Sequence, residues 1–131
     1  MFNQDFFLRN MNEFLKALQD IVFYYKEDDF EQSNRILTSS YSFLGETENF
    51  FKEKDNETIL AFLLGQKKSI EKVRLLGDLY IAHAKISKDK RSIFLNKALY
   101  FLKYYDFHSS VFSFELKDKI IHLEKELLKN Q

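Results

Sequence analysis

Apolar residues recur along this chain with the period of an α-helix, and no stretch of convincing length alternates with the period of a strand. In the first 26 residues Phe7, Met11, Phe14, Leu15, Leu18, Val22 and Tyr25 follow one another at steps of 4, 3, 1, 3, 4 and 3, the stripe one helix face presents to a core. The spacing predicts a helix from about Asp5 to about Tyr25. Asn3 or Asp5 can accept the free amides of its first turn, and Asp5 also suits the positive end of the helix dipole. No Asn-Gly or Asp-Gly dipeptide separates apolar runs, and proline is absent throughout. The chain therefore reads as helices joined by short polar connectors.

The breaks give the other boundaries. After Lys26-Glu27-Asp28-Asp29, either aspartate can cap a second helix whose stripe is Phe30, Ile36, Leu37, Tyr41 and Leu44, with Gly45 as its stop. The two helices should pair as an antiparallel hairpin. Residues 46–56 read as a polar, acidic connector, and Asp55-Asn56-Glu57 can start a short helix through Ile59, Leu60, Leu63 and Leu64 to Gly65. A further helix is expected from Lys67 or Ser69 to Ile86, carrying Ile70, Val73, Leu76, Leu79, Tyr80 and Ala84, with His83 on or near that face. Ser87-Lys88-Asp89-Lys90 links it to a helix through Ile93, Phe94, Ala98, Leu99, Phe101 and Leu102, broken at 106–110. A last helix, about Val111 to Lys129, carries Leu116, Ile120, Leu123 and Leu127, with Ile121 and Leu128 expected to widen the same stripe. Five to six helices are expected in one domain, 1–131, since that length closes one core comfortably but not two.

Composition narrows the chemistry. Hydrophobic residues at 45% and charged residues at 31% are a globular balance. With 15 Phe, 7 Tyr and no Trp, the core is expected to be filled largely by phenyl rings in place of leucine. The absence of cysteine removes disulfides, thiolate metal sites and a cysteine nucleophile. Met1-Phe2-Asn3-Gln4-Asp5 has no basic stretch leading into an apolar run, so no signal peptide is expected. The apolar runs at 21–25 and 59–64 fall far short of the roughly 20 residues of a membrane span. A cytoplasmic location is the expectation.

One segment carries a further pattern. Leu76-Gly77-Asp78-Leu79-Tyr80, then Ala84, then Lys97-Ala98-Leu99 resembles a tetratricopeptide repeat, whose first helix bears Leu-Gly-x-x-Tyr and whose second bears a small alanine before an apolar residue. Gly77, Ala84 and Ala98 would let paired helices approach closely, while Leu76, Tyr80 and Leu99 fill the space between them. Gln4-Asp5-Phe6-x-x-Arg9, the two hairpins and Lys119-Ile120-Ile121-His122-Leu123 together resemble a bacterial family of small tetratricopeptide-like proteins of unassigned function. The resemblance implies an all-α fold of helical hairpins stacked as a right-handed superhelix, and no activity.

The formal net charge is zero but unevenly placed: residues 1–66 hold 6 basic and 12 acidic groups, 67–97 hold 9 and 3, and 98–131 hold 5 and 5. Oppositely charged helix faces sharing solvated pairs explain this. The sharper reading is a basic interaction face of Lys67, Lys68, Lys72, Arg74, Lys88, Lys90 and Arg91, with Lys85 and Lys97 in the same segment. Asp118 and His122 have the i,i+4 spacing of two ligands on one helix, but no second histidine joins them, so no metal or other cofactor is expected. No nucleophile elbow and no phosphate-binding glycine loop occurs.

These observations favour a non-enzymatic interaction module whose partner is a protein or peptide, a second copy of the chain included. The alternatives are an enzyme or sensor with an aromatic-lined pocket served by Asp78, Tyr80 and His83, and a regulator touching nucleic acid through the 67–97 hairpin. Nucleic acid is disfavoured by the acidic amino-terminal half.

Overall fold

Asp29 accepts a hydrogen bond from the Gln32 amide, Thr47 from that of Phe50 and Asp55 from that of Thr58. Each side chain thereby satisfies a free donor of a first helical turn, and each starts a helix. The computed structural model describes residues 2–129, with side chains from 9 to 129. Seven helices and no strand occur among the described residues: α1 (Phe2–Lys26), α2 (Phe30–Phe43), α3 (Glu48–Glu53), α4 (Asn56–Leu64), α5 (Ser69–Lys85), α6 (Arg91–His108) and α7 (Phe114–Lys129). The caps expected at Asn3 or Asp5, the Phe7 end of the first stripe and the opening motif Gln4-Asp5-Phe6 lie outside the described side chains. Gly45 ends the second helical segment with φ +108°. A Cβ there would lie 2.9 Å from Nε2 of Gln66, which donates to the Leu44 carbonyl at 3.0 Å.

Three antiparallel pairs organise the helices. Tyr25 meets Phe30, and Phe14 meets Phe43, at opposite ends of α1 and α2. Between them the buried Ser33 hydroxyl donates to the Ile21 carbonyl at 2.7 Å. In α5 and α6, His83 stacks on Phe94 and Arg74 lies over Tyr105. Midway, a Cβ on Gly77 would fall 2.6 Å from Cδ2 and 2.8 Å from Cγ of Leu102, so α6 closes on α5 where the side chain is missing. α7 runs back along α6 through Asp106–Lys117, Lys103–Glu124 and Arg91–Glu126 ion pairs. α1 and α2 also pack on α5.

The count exceeds the expected five or six because of α3, in the segment that reads as a connector. A six-residue helix does not persist alone; distant donors hold this one. The Tyr80 hydroxyl donates to the Phe51 carbonyl at 2.6 Å, and the Lys97 ammonium donates to the Lys54 carbonyl at 3.0 Å and to Oδ1 of Asn56 at 3.1 Å. Lys97 also sits over the Tyr80 ring, 5.7 Å from its centroid, and burial lowers its pKa. Replacing it with Met keeps the stem and deletes the donor. Lys97→Met is expected to cost about 1–2 kcal/mol in urea unfolding and to speed amide exchange in α3 more than in α1.

The core also corrects the composition argument. Among the described residues the buried set includes eleven leucines and four phenylalanines, Phe14, Phe51, Phe94 and Phe101, with Phe50 and Phe62 partly buried against them. Phe23, Phe30, Phe43, Phe107, Phe112 and Phe114 are exposed. Phe30 and Phe43 close the two ends of the α1–α2 pair from its rim, and the other four lie on the surface rather than between helices. No helix among the described residues is long and apolar enough to cross a membrane.

Candidate functional site

Leu15, Leu18, Gln19 and Val22 stand on one face of α1 at the i, i+3, i+4, i+7 spacing that aligns side chains along a helix. Asp78, Ile81, Ala82 and Lys85 repeat that spacing on α5, and Lys119, His122, Leu123 and Glu126 repeat it on α7. The three faces line one open groove of about 680 Å³. Its α1 wall is apolar apart from Gln19, its floor includes the buried Leu18, Ala82 and Leu123, and its α7 wall is charged.

The electrostatics of the groove are lopsided. Asp78 is engaged twice, by Nε of Arg74 at 3.2 Å and by Nζ of Lys119 at 3.1 Å. Glu126 is engaged by Arg91. Lys85 is exposed and pairs with no carboxylate among the described residues. Both groove carboxylates are thus neutralised from within, while Lys85 and one cation of the Asp78 triad remain uncompensated. A ligand entering here meets a positive field beside an apolar wall.

The residues with repeat-like spacing are structural: Leu76, Gly77, Tyr80, Ala84 and Ala98 are buried and Leu99 is partly buried at the same core. The basic residues are dispersed. Lys67 and Lys68 precede α5 and Lys88 and Lys90 follow it, so a helix of 17 residues, about 25 Å long, separates the two pairs. Lys72 donates to Gln66 at 2.7 Å, Arg74 is committed to Asp78, and Arg91 to Glu126. They form no single continuous face. Asp118 points outward from α7 whereas His122 lines the groove, and no group of three or more metal-ligating side chains occurs among the described residues.

Asp78, Tyr80 and His83 do not converge on one cavity. Asp78 faces the groove; Tyr80 and His83 turn to the other side of α5, where the Tyr41 hydroxyl lies 2.7 Å from Nδ1 of His83. With the hydroxyl assigned as donor, the imidazole proton sits on Nε2. The ring stacks on Phe94 with centroids 3.8 Å apart. Burial pushes the His83 pKa down to about 4, with Lys52 and Lys90 acting in the same sense. Burial raises that of Tyr41, with Tyr80 and Glu48 adding to it, and burial raises that of Tyr80. The cluster is a closed polar knot within an aromatic core. Sequence reasoning missed the groove because two of its three walls mix polar and apolar residues and give no hydrophobic stripe; the shared four-residue spacing is the signal that was present.

No protein-family model, curated protein or solved structure matches the chain.

Proposed function

We propose that this chain is a non-enzymatic interaction module that holds an amphipathic, acidic peptide segment of a partner protein in the groove between α1, α5 and α7. The observation that carries the reading is the asymmetry of that groove: an apolar wall on one side, a positive field on the other, and both of its carboxylates already neutralised. A segment with apolar residues along one edge and carboxylates along the other satisfies both walls at once. The same arrangement supports a tetratricopeptide-like reading of the fold. In it, α1 with α2 and α5 with α6 are successive hairpins of a right-handed superhelix, α7 opens a third, and α1, α5 and α7 are the inner helices.

The test is fluorescence anisotropy with two labelled amphipathic helical peptides of equal hydrophobicity, one acidic and one with lysine in place of each glutamate. The acidic peptide is expected to bind at least about tenfold more tightly. Leu15→Glu and Lys85→Glu, both at exposed positions, are each expected to weaken that binding by about tenfold. Equal binding of the two peptides, or binding indifferent to both substitutions, would overturn the proposal.

A further inference from the structure

α7 has a second apolar stripe on the side away from its buried face. Phe114, Ile121 and Leu128 recur at steps of seven, and they are 76%, 49% and 67% exposed. Phe112 rests edge-on against Phe114 with ring centroids 4.7 Å apart and lengthens the stripe at its amino end. Seven-residue spacing keeps the three on one line along the helix, as one of the two apolar positions of a coiled-coil heptad does, and the positions three and four residues after Phe114 and Ile121 are charged. Lys117 and Glu124 flank the stripe on the α6 side, where they pair with Asp106 and Lys103. Asp118 and Lys125 flank it on the other side, are exposed, and enter no ion pair among the described residues.

We infer that this stripe is a homodimer seam, in which the α7 helices of two copies lie antiparallel about a two-fold axis at Ile121. The charge pattern selects both the occupant and the orientation. An antiparallel two-fold brings each flank of the seam against the same flank of the partner, with heights inverted about Ile121. Asp118 then faces Lys125 of the other copy and Lys125 faces its Asp118, so these two charges, unpaired in one copy, neutralise one another across the seam. Phe114 meets Leu128, Ile121 meets Ile121, and Lys117 comes opposite Glu124. A parallel pair instead sets Asp118 against a Lys117 already neutralised by Asp106, and Lys125 against a Glu124 already neutralised by Lys103. It also aligns the two helix dipoles, which the antiparallel pair opposes. The seam lies outside the groove, so a partner peptide and a second copy bind on different faces.

A seam about 24 Å long, from the 16 residues of α7 at 1.5 Å each, falls at the low end of specific interfaces and implies micromolar self-association. Sedimentation analysis of the full chain from about 5 to 500 µM, a range spanning such affinities, reads it directly. Wild type is expected to pass from monomer to dimer, and Ile121→Glu to stay monomeric with unchanged helicity. Asp118→Lys and Lys125→Asp should each weaken the dimer about tenfold by setting like charges face to face, and the double swap should restore it. In a parallel pair the double swap sets 118 and 117, and 125 and 124, in like-charge contact, and becomes the weakest of the set. That result, a monomer across the whole range, or a dimer that survives Ile121→Glu would overturn the inference.

Discussion

Between pH 6.5 and 4 the protein is expected to lose about 3 kcal/mol of stability through one buried histidine. The His83 side chain is closed between Tyr41 and Phe94, and its pKa falls to about 4, against about 6.5 for an open imidazole. Above pH 6.5 neither the folded nor the unfolded chain protonates this residue, so folding carries no proton penalty. As the pH falls below 6.5 the unfolded chain takes up a proton that the folded chain refuses, and stability drops until the folded pKa is reached. A gap of roughly 2.5 pH units at 1.36 kcal/mol each gives the figure. Urea unfolding at pH 7, 5.5 and 4 measures it. His83→Gln keeps an acceptor for the Tyr41 hydroxyl and removes the titration, so it should start less stable at pH 7 and lose far less on acidification. Equal losses in both proteins would place the acid sensitivity elsewhere.

The second large effect is expected from one methyl group. In an exposed helix Gly→Ala gains about 1 kcal/mol, but at Gly77 the added carbon would lie 2.6 and 2.8 Å from Leu102, which is fully buried. The leucine must leave its rotamer or α6 must retreat, and overpacking of this kind costs about 1–3 kcal/mol. Gly77→Ala should therefore destabilise by about 1 kcal/mol net of its propensity gain, and by about 2 at most. Leu102→Ala is itself expected to cost about 2–5 kcal/mol by opening a cavity. Placed together, the two should cost clearly less than the sum of the single changes, because the new methyl enters the space the leucine leaves. Additive losses in a double-mutant cycle would show that the close approach at Gly77 is not what resists the methyl.

Helix ends were the most legible part of this fold, since a cap is local chemistry. Asp29, Gly45, Asp55 and Gly65 stand at the boundaries that their residue types suggest. The segment Glu48–Glu53 was illegible for the opposite reason. Its only apolar residues are Phe50 and Phe51, too few to set a period, and the donors that stabilise it come from Tyr80 and Lys97, 29 and 43 residues away from their acceptors. His83 stands on or near its expected face, but its partner Tyr41 is 42 residues distant, and nothing local announces that pairing. The phenylalanine count misled because it reports how much apolar surface a chain carries and not where the surface goes. Phe114, Ile121 and Leu128 belong to the same helix as Leu116, Ile120 and Leu123, and only packing against α6 divides the two sets. The groove needed three helices side by side before its spacing meant anything.

The amino-terminal half cannot finish its own interior. Tyr41, Phe51 and Leu63 are fully enclosed, yet the groups that seal the region around the first two, the His83 ring, the Tyr80 hydroxyl and the Lys97 ammonium, all lie beyond residue 79. As the chain is made from its amino end, α1 and α2 leave the ribosome as a hairpin with an unsealed side, and the α3 turn has no acceptor satisfied from outside itself. That side stays open to chaperones and to wrong partners until α5 and α6 follow. Closure awaits the helices that carry those three groups, α5 for His83 and Tyr80 and α6 for Lys97.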